Sequence, residues 1–256
     1  MLHGRYISNY GVVRSYAAKK YKLLCIKCKA NEHREVKFTA KGRAGNDSKL
    51  NNNLSRTRAR VFELAYCNPW ELFVTFTLDP KKYDRHNLEQ YRKDLSQFIR
   101  DVRKKSHTNV KYLLVPEQHK DGSWHMHGFL MGLPLSALRE FTLQDHIPYA
   151  IRNRLTQGKQ VYTWEAYERK FGYTSIERIE NGEAASKYIT KYITKEALQT
   201  ITALNAHIFY ASQGLQSSEI VSKDILAKPI TTPDYENDYV TVKWFDNVQT
   251  AFTYFE

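Results

Sequence analysis

His125 and His127 flank Met126 in the stretch WHMHGFLM. Side chains alternate along a strand, so the two imidazoles share one face, within reach of a single divalent cation. A third ligand is needed. Glu117, upstream on the partner strand, is the best candidate, with Gln118 and His119 as alternatives. Register decides among them. A two-residue Asp121-Gly122 turn would set Glu117 against Met126, pointing away; a three-residue loop or a bulge would set it against His125. An isolated His-x-His is more often a hydrogen-bonded strand pair than a ligand pair. Here the upstream carboxylate and the tyrosines downstream favour the metal. Two histidines and a carboxylate serve zinc and ferrous iron alike, so this set names no reaction by itself.

The second group is YITKYITK, residues 188–195. On a helix, residues four apart are separated by about 40° around the axis, so Tyr188 and Tyr192 stand one above the other. Lys187, Lys191 and Lys195 form a neighbouring basic stripe, and Ile189 and Ile193 a third. Core packing explains the isoleucines, and snorkelling accounts for ordinary lysines. Neither explains why phenols and ammonium groups lie side by side. A phenol that loses its proton is a nucleophile toward a phosphodiester. A metal would polarise the phosphate, and Lys191 or Lys195 would stabilise the charge that develops. Attack leaves a 5′-phosphotyrosine and a free 3′-hydroxyl. The bond energy is kept, so rejoining needs no ATP. In accord with that, no phosphate-binding G-x-x-x-x-G-K-[ST] loop and no G-x-S-x-G elbow occurs.

These groups need elements to position them. LFVTFTL (72–78) reads as a buried strand ended by Asp79-Pro80. KYLLVPE (111–117) and WHMHGFLM (124–131) read as two strands joined by a hairpin at Asp121-Gly122. YTSIERIE (173–180) and TVKWF (241–245) read as further strands. Helical spacing predicts helices from Ser55 to Cys67, Leu88 to Lys105, Leu135 to Gln144, Trp164 to Phe171, and from about Glu183 to Leu198. Residues 40–55, AKGRAGNDSKLNNNLS, read as a loop.

Composition sets the outer limits. The chain has 256 residues, 42% of them hydrophobic, which suffices for a packed core and excludes global disorder. No apolar run is long enough to span a membrane, and no signal-peptide core is present, so the expected location is the cytoplasm. The formal charge is +12, with 18 Tyr, 12 Phe and 4 Trp. Cations that track phosphates and rings that stack on bases suit single-stranded nucleic acid. Cys25, Cys28 and Cys67 are an odd set without a second close pair. A structural zinc site using them with His33 is the minor reading beside reduced thiols.

The three segments FVTFTLDP (73–80), VPEQHKDGSWHMHGFL (115–130) and YITKYITK resemble, in that order, the motifs of HUH endonucleases. The likeness is to two-tyrosine rolling-circle replication initiators of phages and plasmids, similar to microvirus gene A proteins. The resemblance implies an α+β fold: an antiparallel sheet of about five strands with flanking helices, His-x-His on a central strand and the tyrosine helix over it. It implies His125, His127 and Glu117 as ligands of Mg or Mn, with Tyr188 and Tyr192 as alternating nucleophiles served by Lys191 and Lys195. The implied partners are single-stranded origin DNA in a bacterial host and the host's helicase and polymerase, since no ATPase domain follows. The expected layout is a basic DNA-binding extension (1–70), a nuclease core (71–200) and a C-terminal extension packed on that core (201–256). The competing readings are a single-strand transposase of the same superfamily, a water-using metal nuclease, and a non-catalytic single-strand-binding protein.

Overall fold

The structure is a computed structural model and describes residues 10–17, 20–26, 47–194, 196–197, 200, 207–236 and 240–256. In chain order its elements begin with β1 (Tyr10–Tyr16), β2 (Lys20–Ile26), α1 (Asp47–Tyr66), β3 (Leu72–Leu78), α2 (Leu88–Ser106), β4 (Lys111–Gln118) and β5 (Trp124–Met131). There follow β6 (Arg139–Glu140), α3 (Tyr149–Thr156), β7 (Tyr162–Thr163), α4 (Glu165–Lys170), β8 (Gly172–Arg178) and α5 (Gly182–Ile189). The chain closes with β9 (Tyr210–Ala211), β10 (Glu219–Ile225), β11 (Tyr235–Glu236), β12 (Val240–Phe245) and α6 (Val248–Phe252). Two compact units result: residues 42–215, and residues 1–41 together with 216–256.

The larger unit is an antiparallel sheet in the order β6-β7-β8-β3-β5-β4-β9 with helices on both faces. The expected α+β class holds. The strand count is seven rather than about five, because β6, β7 and β9 are two-residue pieces at the margins. Alternation on β3 sends Leu72, Val74, Phe76 and Leu78 to one face, all at 2% exposure or less. There they meet the stripe of α2, Leu88, Tyr91, Leu95, Phe98 and Ile99, with Tyr167 and Phe171 beside it. On the other face Leu113, Val115 and Phe129 are covered by Val61 and Leu64 of α1 and by Ile189 and Ile193. This second cover reaches only part of the way along the strands. Past it, on the same face, the sequence turns polar: His127 with Thr75, then His125 with Thr77 and Glu117.

The smaller unit is a five-stranded antiparallel sheet, β10-β1-β2-β12-β11. One face carries Val13, Leu23, Cys25 and Phe245 and packs on Leu226, Ala251 and Tyr254.

Several local expectations differ from the structure. Helix α1 starts at Asp47, inside the stretch read as a loop. Asn and Ser cost a helix only fractions of a kcal/mol each, and extending a helix already anchored by packing is inexpensive. Leu135 to Gln144 is not a helix but a 3₁₀ turn (Leu135–Ala137) followed by β6. Leu135 and Leu143 stay 42% and 45% exposed, and Asp145 instead caps a local turn through Thr142 N (2.7 Å) while pairing with Arg139. β1, β2, β10 and α3 carry no strong local signal and were not anticipated. The two units also cut the chain differently from the 1–70, 71–200 and 201–256 layout: α1 joins the larger unit, and β10 pairs with β1 more than 200 residues away. Among the described residues no helix is long and apolar enough to cross a membrane. Cys25 and Cys67 are buried thiols; Cys28 and His33 lie outside the described residues.

Candidate active site

The β4–β5 hairpin settles the register. Gly122 N donates to His119 O (2.9 Å) and His119 N donates to Ser123 O (2.8 Å). The loop is therefore the three residues Lys120, Asp121 and Gly122, with Gly122 at φ +82° in the left-handed region that closes such a turn. The Asp121 carboxylate accepts from Ser123 N (3.0 Å) and Oγ (2.6 Å) and holds the loop shut. Glu117 consequently lies directly opposite His125, and Val115 opposite His127.

β3 orients both rings from the other side. Thr75 stands opposite His127 and Thr77 opposite His125. Thr75 Oγ1 is 3.1 Å from His127 Nδ1, and Thr77 Oγ1 is 3.2 Å from His125 Nδ1. A rotatable hydroxyl can donate or accept, so each threonine serves either tautomer while fixing the ring. Nε2 is then the outward atom of each pair. His127 Nε2 lies 2.7 Å from Glu117 Oε2, and His119 Nε2 lies 3.7 Å from the same oxygen. The His119 ring stacks on His125 with centroids 3.7 Å apart.

The hydrogen bond from His127, with help from the charges of the three imidazoles, holds the Glu117 carboxyl below the usual range against the effect of its burial. Burial, then the neighbouring His119 and His127, pulls His125 down to about 4. His125 is thus neutral over most of the working range. The sign for stability follows. The unfolded imidazole takes up a proton near its ordinary value, about 6.5. The folded one resists until about 4. Stability is full above that window and falls as pH drops through it. Denaturant unfolding in EDTA should show this slope, reduced in His125→Asn; an unchanged slope would refute it.

Helix α5 starts at an Asn181 cap, whose Oδ1 accepts from Ala184 N (2.9 Å). The spacing predicted one helix to Leu198, but α5 ends at Ile189. A 3₁₀ turn, Thr190–Tyr192, follows, and Ile193 leaves helical geometry at φ −93°, ψ 84°. Two contacts account for the break. Thr190 Oγ1 donates to Lys187 O (2.7 Å), and Arg58 of α1 donates to Ile193 O (2.8 Å), while Ile193 itself is fully buried.

The break does not separate the phenols; Tyr192 Oη donates to Tyr188 Oη across 3.4 Å. It gives them different surroundings. The Tyr192 ring lies flat on His127, with centroids 4.1 Å apart and planes 7° apart. Tyr188 rests edge-on against Phe73 and remains 45% exposed. Lys191 Nζ sits 3.6 Å from the Tyr188 ring centroid and 4.7 Å from that of Tyr192. Burial opposes ionisation of Tyr188, but the hydrogen bonds from Lys191 and Tyr192 and the charges of Lys191 and Arg154 outweigh it, leaving the phenol below its ordinary value. Tyr192 goes the other way: burial, the hydrogen bond it gives to Tyr188, and the nearby Glu117 charge all hold its proton on.

Residues 71–197 match the family of replication-associated proteins described by ORF2 and the phage gene II protein. No curated protein and no solved structure matches the chain. The matched segment opens at the residue before β3 and contains Glu117, His125, His127, Tyr188, Lys191, Tyr192 and Lys195. The five-stranded unit and α1 lie outside it.

The structure brings six of the seven expected site residues onto one sheet face; Lys195 lies outside the described residues. Lys187, in the same basic stripe, is engaged with Glu183 (2.7 Å) and faces away from this chemistry. Glu117 and His127 bond to each other, and among the described residues no three His, Cys, Asp or Glu side chains form a ready-made metal cage. Thr75, Thr77, Arg58 and Arg154 were not anticipated as site residues. The alternating Thr-x-Thr of β3 was the available signal for the first two. Arg154, held by Glu177 (2.6 Å), comes from α3, for which the sequence offered no strong pattern.

Proposed function

We propose that this protein nicks and rejoins single-stranded DNA at a replication origin through a phosphotyrosine. The carrying observation is the contact between the two groups found in sequence: Tyr192 stacks on His127, and its hydroxyl reaches that of Tyr188. The family match supports the replication role.

The donor set fits a divalent cation, Mg or Mn. Both imidazoles have Nδ1 engaged by threonine, which leaves Nε2 as the ligating atom, and Glu117 supplies a carboxylate at that end. Held by His125, His127 and Glu117, the cation would polarise a phosphate oxygen. The remaining work falls to the chain. Lys191 and the Tyr192 hydroxyl stabilise the Tyr188 phenolate, which makes Tyr188 the first nucleophile. Its oxygen forms a bond to phosphorus as the bond to the 3′-oxygen breaks. The phenol gives up one proton and the 3′-oxygen takes one up. One phosphodiester is exchanged for another, so the reverse step needs no energy source. Tyr192, protonated in the resting site, becomes the second nucleophile once Tyr188 is esterified and its own donated hydrogen bond is released.

Incubation with Mn or Mg and single-stranded DNA from the protein's replicon, followed by a denaturing gel, tests this. The expected result is a covalent adduct lost with EDTA. Cleavage without adduct, surviving Phe at both 188 and 192, would identify a water-using nuclease. Binding with neither would return the protein to the binding class. Thr75→Val keeps the shape but removes the Nδ1 partner of His127. It should raise the metal concentration for half-maximal adduct by roughly 10–100-fold without altering the melting temperature. An unchanged metal titration would exclude the orienting role of Thr75.

A further inference from the structure

The smaller unit lies outside the matched segment, and one face of its sheet is left over once its core is described. Residues directly opposite in antiparallel strands share a face, so the register sorts the side chains. Val13, Leu23 and Phe245 fall on the core face. Arg14, Lys22 and Trp244 form a row on the other, flanked on one side by Tyr16 with Lys20. On the other side Lys223 stands opposite Val12, Tyr235 opposite Val242, and Tyr10 follows on β1. The same alternation places Glu219, Asp224 and Glu236 on the opposite face, against Ser15, Gly11 and Thr241. Charge is thereby segregated by face.

The cations and rings are interleaved. Lys22 Nζ is 6.0 Å from the Tyr16 ring and 5.6 Å from that of Trp244, and those two rings meet at 4.9 Å. Lys223 Nζ is 5.9 Å from the Tyr10 ring. Tyr235 is 55% exposed. Val12 and Val242, each 6% exposed, form the floor between them.

We infer that this sheet face binds single-stranded DNA, its rings stacking on bases and its cations holding the phosphates. An acidic peptide would use the cations and leave the rings idle; a duplex would hide the base faces the rings need. Single-stranded nucleic acid uses both. The choice of DNA over RNA rests on the replication reading above.

The test uses the full chain carrying Tyr188→Phe and Tyr192→Phe in EDTA, so binding is read without strand transfer. The probe is a fluorescein-labelled thymidine oligonucleotide of about 20 nucleotides, a length sufficient for one such surface. Lys22→Glu with Lys223→Glu should weaken binding at least roughly tenfold and flatten the salt slope by about 1.4, at about 0.7 per phosphate contact. Tyr235→Ala should weaken it by roughly fivefold or more and leave the salt slope unchanged. Cross-linking with an iodouridine-substituted strand should label peptides containing Tyr10, Trp244 or Tyr235. Binding within twofold of the parent in both variants, with cross-links confined to residues 71–197, overturns the inference. An equal loss on duplex of the same length overturns the single-strand assignment, and tighter binding of the matching RNA overturns the choice of DNA. Because binding is read without cleavage, absence of any adduct in the parent protein would fail the nicking reading alone.

Discussion

Tyr188→Phe should abolish the first covalent complex, reducing adduct formation on single-stranded origin DNA by roughly 10³-fold or more, as loss of a nucleophile does in other covalent enzymes. Tyr192→Phe should retain it. The asymmetry comes from position. Tyr188 is half exposed, carries Lys191 over its ring and receives the Tyr192 hydrogen bond. Tyr192 is pinned flat on His127 and gives its proton to that bond. Its replacement removes one donor to the phenolate, so the first nick should slow by about tenfold, the worth of one hydrogen bond to a charged group at about 1.5 kcal/mol. It should also abolish the second transfer, leaving nicked strands that are never released as circles. Peptide mapping of the adduct gives the answer directly. A first adduct on Tyr192, with Tyr188→Phe fully active, would reverse the assignment.

Gly128→Ala should break the fold at the site. Gly128 lies beside His127 on β5, opposite Leu114 on β4 and Val74 on β3. A Cβ there would stand 1.9 Å from Leu113 O and 2.9 Å from Leu114 Cα. Both are backbone atoms, so no rotamer change can relieve the clash, and β4 must move away from β5. Overpacking of a core costs about 1–3 kcal/mol and more where backbone must shift. The expected loss is about 3 kcal/mol or above, seen as a lower denaturant midpoint. Because Glu117 is placed by the same β4–β5 ladder, the variant should also lose adduct formation in proportion to the displaced register. A melting temperature equal to the parent's would mean that the strands tolerate the separation.

Neither result is readable from one link alone. The glycine matters because the strands are paired, and the tyrosines differ because a helix ends between them.

The chemistry-bearing groups themselves were legible in sequence. Period-two alternation put His125 and His127 on one face, and β5 occupies the very span, Trp124–Met131, that the pattern predicted. β3 and α2 were equally plain, because a buried strand and an amphipathic stripe encode their environment locally. The register of Glu117 was reducible to a choice between loop lengths, and the three-residue loop made that choice. What the sequence could not supply were contacts made by distant residues. Tyr188 and Tyr192 repeat the same four letters, yet Arg58, 135 residues away, takes the Ile193 carbonyl, and the helix ends early. Their unequal environments follow from that break and from His127 lying beneath one ring. The smaller sheet is likewise tertiary in origin. β1 and β10 are short and weakly patterned alone, and they become a sheet because pairing across the length of the chain satisfies their backbone hydrogen bonds together.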